Sequence, residues 1–208
     1  IIGAGGFARE IRWLAQEISS TSSVDLSYEF VGFSVTDTSE IGQHDSGKEI
    51  VGDFDWLRAN RTKFDCLTLG IGNPQVRLRI AKELEDEFGP ECWPALIHPS
   101  VQFDESTSKV SHGVQICANV IGTVYLTFQP YCMINLACTI GHEVVIGRAS
   151  TLNPCVNVSG GVTIGEGVLI GTGAQILQYL DVGAHSTIGS GAVVTKSVKK
   201  NATVVGIP

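Results

Sequence analysis

Residues 139–147, TIGHEVVIG, set a histidine directly against a glutamate, His142 beside Glu143. An imidazole next to a carboxylate is a proton-moving pair. Histidine titrates close to working pH, and the carboxylate favours the imidazolium and fixes which ring nitrogen stays free. The pair suits removal of a proton from an amine or hydroxyl as that group attacks a carbonyl carbon. A second chemistry-bearing feature opens the chain. Gly3, Gly5 and Ala8 satisfy G-x-G-x-x-A, a turn whose backbone N–H groups and following helix N-terminus favour a phosphate. Gly70-Ile71-Gly72-Asn73 has the same character.

The remaining polar chemistry is sparse. The six cysteines (66, 92, 117, 132, 138 and 155) show neither CxxC nor Cys/His metal spacing. They read as reduced, buried thiols of a cytoplasmic protein, and no metal is expected. His44, His98, His112 and His185 read as solvated or locally hydrogen-bonded. The net charge of -7 argues against nucleic acid as a partner. No run of 18 apolar residues offers a membrane span, and no signal peptide is visible. With 43% hydrophobic and 17% charged residues the chain can bury a sizeable core, and 24 glycines require many tight turns.

The elements that carry His142 obey a period of six. Every sixth residue from Val110 to Val194 is apolar in fourteen of fifteen cases, Gly122 being the exception. The column four places later, from Val114 to Val198, is also inward in type, and it includes Cys132 and Cys138, which are thereby badly placed as nucleophiles. Twelve of the thirteen glycines between 110 and 199 fall in the three places after the lead residue. Six residues fit neither a helix nor an alternating strand. They fit a short strand followed by a corner, three of which close one triangular coil of eighteen residues, the hexapeptide form of the parallel β-helix. On that register Gly160 lies directly beneath His142, and Thr172 and Ser190 share another corner column.

Residues 1–97 read as a small Rossmann-like parallel α/β sheet, and 98–208 as the β-helix. IIGAGG ends a strand, FAREIRWLAQEIS is a helix, YEFVGFSV a second strand, FDWLRAN a short helix and FDCLTLGIG a third strand. NPQVRLRIAKELEDEF is a helix capped by Asn73 and Pro74, and CWPALIH a fourth strand. TDTSEIGQHDSGKEI reads as a loop. In a parallel sheet the two glycine turns should flank one crevice. A nucleotide-linked substrate, NAD or a purely structural turn are the three readings of that crevice. The second strand offers no acidic residue for an NAD ribose.

The GAGGFARE turn, the GIGN turn, the IHPS junction and hexapeptide coils carrying GHEVVIG resemble the sugar acetyltransferases typified by sialic-acid O-acetyltransferase and the UDP-4-amino-sugar N-acetyltransferase of bacillosamine synthesis. The resemblance covers nearly the whole chain. It implies a left-handed prism, a homotrimer, acetyl-CoA as co-substrate in the groove between neighbouring prisms, and a sugar nucleotide held by the N-terminal domain. By position, His142 resembles the general base and Glu143 the group that raises its basicity. Gly160 resembles the backbone N–H donor near the thioester, Thr172 and Ser190 the contacts to the pantetheine arm, and Gly5, Gly6, Phe7 and Gly72 the substrate-nucleotide contacts. Two places depart from the family. The acidic pair after the second strand is Val35-Thr36, and a second histidine nine residues after the first is Thr151.

The expected function is acetyl transfer to the amine of a nucleotide-linked amino sugar. O-acetylation of sialic acid or another sugar is the same-class alternative, and a non-catalytic trimeric binding or scaffold protein is the alternative from another class. A sugar-nucleotide oxidoreductase is disfavoured by the absent ribose acid.

Overall fold

A computed structural model describes residues 1–21, 27–39, 41–42 and 45–208. His44 lies outside the described residues. Two bodies follow one another along the chain: a thin parallel α/β layer and a long three-sided prism.

The prism is a left-handed parallel β-helix. Each two-residue strand pairs with the strand one coil away, as in Ile146 with Ile164 and Ile164 with Val182. The first face carries seven strands, from β3 (Leu96–Ile97) to Thr203–Val204, and the second and third carry five each. His142 sits where the second face (Thr139–Ile140) turns into the third (Val145–Ile146). The lead aliphatics and the column four later form one continuous core that includes Ile116, Phe128, Ile146, Val162, Ile170 and Ile188. Each coil buries its apolar residues only against its neighbours. Ser150 enters this inward column because its hydroxyl is satisfied, donating to Gly165 O at 2.6 Å and accepting from Val168 N–H at 2.9 Å.

Each corner from Gly113 to Gly191 is made by one residue in the left-handed region. Glu143 (φ 60), Tyr179 (φ 59), Gly161 (φ 70) and Gly173 (φ 71) all occupy the third place after a lead residue. Glycine adopts that conformation freely; a side chain there costs on the order of 1 kcal/mol. The eighteen-residue register loosens only at the ends. Ile97 pairs with Ile116 and Thr187 with Thr203, spacings of 19 and 16. The stack therefore runs further than the period, whose frame starts at Val110, and β3 is hydrogen-bonded into the prism and not into the α/β sheet.

The N-terminal layer is smaller in strand than its sequence reads. Of YEFVGFSV only Phe33–Ser34 forms a strand, β1, and FDCLTLGIG contributes a single bridge at Leu69. The segment read as a loop holds a turn of 3-10 helix, Gly47–Glu49, and its last residue opens a strand, β2 (Ile50–Gly52), parallel to β1. Bridges from Ile2 to Ser34 and to Leu69 complete the parallel order. Helix α1 (Gly6–Thr21) buries Ala8, Ile11, Leu14 and Ile18 at helical spacing, and the short α2 (Phe54–Ala59) is capped by Asp53. Helix α3 (Pro74–Phe88) starts on Asn73, whose side chain accepts from Gln75 and Val76 N–H, and ends at Gly89 (φ 76).

This layer sits on the first face of the prism. Arg77 of α3 is fully buried and donates to Tyr131 O at 2.7 Å and Ile71 O at 2.8 Å. Burial lowers its pKa to about 10, and the carbonyls satisfy the guanidinium without a carboxylate partner. Glu85 pairs with both His112 and Arg148, and Gln115 donates to Thr68 Oγ1 and Leu69 O. Trp93 meets Tyr131 edge-on at 5.3 Å. The docking places α1 and α3 over the edges of the first face, which leaves the opposite edge, with His142, uncovered by its own N-terminal layer.

Candidate active site

His142 projects from an exposed corner, with its side chain about half accessible at 49%. Its Nδ1 meets Glu143 Oε2 at 3.1 Å. With Glu143 ionised, Nδ1 is the donor, and the lone pair resides on Nε2. That nitrogen lies over Gly160: a Cβ on Gly160 would stand 2.4 Å from Nε2 and 2.6 Å from Cε1. Glycine at 160 is thus a seat for the imidazole, and any larger residue would displace the ring. The next coil is tied on by Gly161 N–H to His142 O at 2.7 Å. The Gly160 N–H itself has no protein acceptor among the described residues. An imidazole, a carboxylate hydrogen-bonded to it and a backbone N–H without an acceptor therefore share one corner, groups of the kind that acyl transfer can use.

Thr172 and Ser190 are exposed on a different edge, between the first and second faces. Gly191 N–H donates to Thr172 O at 2.8 Å, so the two stack as the register demands. Within one chain the second face separates them from His142.

The glycine turns divide by role. Gly3 (φ 102) and Gly70 serve packing, since a Cβ on Gly3 would stand 2.9 Å from Gly70 O and one on Gly70 would stand 2.6 Å from Ala8 Cβ. These contacts also bring the two turns side by side. Gly72 has no atom within 4 Å of its Cβ direction, and Gly6 meets only Arg9 at 3.9 Å. Gly5 faces Asp45 Oδ1 at 3.5 Å. Gly72 and Gly6 thus leave backbone open to a ligand among the described residues, whereas the Cβ side of Gly5 is occupied by Asp45. Phe7 is different: its ring joins the cluster of Ile11, Leu14, Leu96 and Cys117, so the side chain packs the domain junction.

The turns and the histidine do not meet within one chain. The glycine turns belong to the layer over the first face, and His142 stands on the edge away from it. Thr151 also departs from expectation. It is buried on the first face in register with Met133 and Leu169, not at the histidine's corner, so its replacement of a second histidine leaves that corner untouched.

Two neighbours of these groups escaped the sequence reading. Tyr179, one coil below Gly161, lies with its ring centroid 6.4 Å from that of His142. The eighteen-residue register would have found it. Asp45 is held beside Gly5 by Ser46 N–H to Ala4 O at 3.0 Å, and no local pattern marks it.

Of the cysteines, Cys117, Cys132 and Cys138 are buried, and burial raises each thiol to about 12. The reading of all six as buried fails at the other three: Cys66 and Cys92 are half-buried, and Cys155 is exposed because it falls at a corner and not in the inward column. His98 bonds Ser100 Oγ at 2.8 Å, and His185 lies 3.5 Å from Glu166. Among the described residues no group of three or more His, Cys, Asp or Glu could hold a metal ion, and no helix is long and apolar enough to cross a membrane.

Residues 1–84 match the PglD N-terminal domain, and residues 161–196 match the bacterial transferase hexapeptide (six repeats). The acetyltransferase domain of PglB from Neisseria gonorrhoeae FA1090 is 26% identical, with 99% of this chain and 94% of that one covered at a TM-score of 0.81. The chain is an acyltransferase built on hexapeptide repeats, similar to these sugar acetyltransferases. Two further structures share the fold of this acyltransferase. WeeI from Acinetobacter baumannii AYE is 25% identical over 99% of this chain and 94% of that one, with a TM-score of 0.79. PerB from Caulobacter crescentus, solved in complex with CoA and GDP-perosamine, is 23% identical over 99% and 92%, with a TM-score of 0.83. No protein of curated function matches the sequence.

Proposed function

We propose that this acyltransferase moves the acetyl group of acetyl-CoA onto the amine of a nucleotide-linked amino sugar, with His142 as general base. The observation that carries the reading is the seating of His142 Nε2 over Gly160, with Nδ1 held by Glu143 at 3.1 Å. Support for the donor and acceptor comes from the neighbours: the PglB domain is known with acetyl coenzyme A, and PerB with CoA and GDP-perosamine.

The amine nitrogen attacks the thioester carbonyl as Nε2 takes its proton. A C–N bond forms, the C–S bond breaks, and the proton passes to the departing thiolate, which leaves as the free thiol of CoA. Glu143 stabilises the transient imidazolium, and the Gly160 N–H donates to the developing oxyanion. Thr172 and Ser190 line the donor groove. Gly5, Gly6, the Phe7 backbone and Gly72 hold the nucleotide.

The site is completed by a second copy of the chain, arranged as a homotrimer. Two observations favour this. His142 and the glycine turns of one chain lie at opposite sides of its prism, and exposed Ile121, Val124, Tyr125 and Leu177 surround the histidine's edge with apolar surface that a partner would cover. Both proposed substrates are cytoplasmic metabolites, and we place the protein there.

The test is thiol release from acetyl-CoA with GDP-, UDP- and dTDP-linked 4-amino sugars as acceptors. Release with at least one of them, and its loss in His142→Ala, supports the reading. Equal release by both proteins removes His142 as base. Release only with hydroxyl acceptors favours O-acetylation, and none with any acceptor favours a binding protein.

A further inference from the structure

Gly160 and Gly161 form a two-sided seat. The ring of His142 lies against the first from the coil above, and the ring of Tyr179 lies against the second from the coil below. A Cβ on Gly161 would stand 2.3 Å from Tyr179 Cδ1 and 2.6 Å from Cε1. The tyrosine is fixed from behind as well, by its own N–H to Gly160 O at 3.0 Å. The two rings are inclined by 60° with centroids 6.4 Å apart.

The same seat occurs one edge away and ends differently. Gly113 accommodates Tyr131 in the same manner, with a Cβ position 2.5 Å from the ring. Tyr131 is fully buried there beneath Trp93 and the N-terminal layer, whereas Tyr179 is 70% exposed. Packing explains the first tyrosine. The described residues leave the second largely uncovered, and its ring stands beside that of His142.

We infer that Tyr179 is the specificity-determining residue that selects an amine over a hydroxyl acceptor. This rests on the proposed function and names the acceptor class for that site. A sugar amine reaches the protein largely as an ammonium, and an aromatic face attracts a cation within about 6 Å of the ring centroid. Glu143, exposed beside His142, adds a negative charge to the same corner. An ammonium resting against Tyr179 is held next to the imidazole. Once it has released one proton to solvent, the neutral amine stands where Nε2 can accept the second during attack. A hydroxyl carries no charge for the ring face or the carboxylate to attract.

The discriminating experiment is calorimetric binding of GDP-perosamine, and of the same molecule with hydroxyl replacing the amine, to wild type, Tyr179→Phe and Tyr179→Leu. Wild type and Tyr179→Phe are expected to prefer the amine by about 5- to 10-fold, and Tyr179→Leu to lose that preference. The inference is overturned by a preference that survives in Tyr179→Leu, by none in wild type, by no detectable binding of either compound, or by dissociation of the assembly in Tyr179→Leu, which would make the ring an interface residue. Binding is read without turnover, so a preserved amine preference alongside absent acetyl transfer would sink the enzyme reading alone.

Discussion

The imidazole of His142 rests on Gly160, with Nε2 only 2.4 Å from the point where a β-carbon would stand. Gly160 does not occupy the left-handed region, so an alanine there meets no backbone penalty. Gly160→Ala therefore isolates the position of the proposed base. We expect a loss of kcat on the order of 10²-fold from displacement of the ring, with a melting temperature close to wild type. Steady-state thiol release alongside a thermal melt checks this; unchanged kcat would mean that the ring's location is immaterial.

Removal of the proposed base itself should cost more. His142→Ala is expected to lower kcat by about 10²- to 10⁴-fold, the range of general-base contributions. Glu143→Gln keeps the corner's shape and a hydrogen-bonding side chain, so a smaller loss, roughly 10-fold, is expected. Equal losses in the two variants would contradict the division of labour between them.

If the site is shared between copies, two crippled chains can repair one another. Gly72 projects into open space, so Gly72→Trp should fold normally and block the nucleotide side. Co-refolded with His142→Ala, random mixing places intact halves together at about a quarter of the sites, and activity should return to that fraction. No recovery, with mixed assemblies verified by native mass spectrometry, would confine the whole site to one chain.

Glu85 joins α3 to the prism through His112 and Arg148. Partial burial raises its pKa, but hydrogen bonds from Arg148 and His112 outweigh this and hold the carboxyl below its usual 4.5. A carboxylate depressed in the folded state contributes stability above the unfolded value and loses it as pH falls through the folded one. Wild type should therefore lose stability on acidification below about 4.5 more steeply than Glu85→Gln, as measured by denaturant midpoints across pH. Parallel curves would remove the carboxylate's role in docking.

Thiol chemistry offers a check on the prism. Only Cys155 sits at an exposed corner, while Cys117, Cys132 and Cys138 are buried and raised to about 12. A disulfide reagent should modify Cys155 first, and the buried three only on unfolding.

Much of this is readable in the sequence because a hexapeptide coil is a local rule. Ile140, Ile146 and Leu152 announce the inward column without knowledge of any distant partner. Eighteen-residue stacking follows, so Gly160 can be placed under His142 in advance. Tyr179 obeys the same rule but needs two steps of it, one coil beyond Gly161. The N-terminal layer is harder. Its pairing consists of isolated bridges at Ile2 and Leu69 and a two-residue strand at Phe33–Ser34, too short for alternation to reveal. Strand β3 reads as a member of that layer because its apolar run fits either sheet; its hydrogen bonds to Val114 and Ile116 decide the matter. Asp45 reaches Gly5 only through folding of the segment around it.

The spacings of 19 and 16 at the two ends of the prism have a consequence for tolerance of change. Between those ends each rung is the template for the next, and one inserted residue between 142 and 160 would slide the floor from under the imidazole and turn the following aliphatics out to water. The outermost rungs have a neighbour on one side alone, and there an extra or missing residue is absorbed. Length variation among relatives should therefore collect at the two caps and spare the middle of the stack.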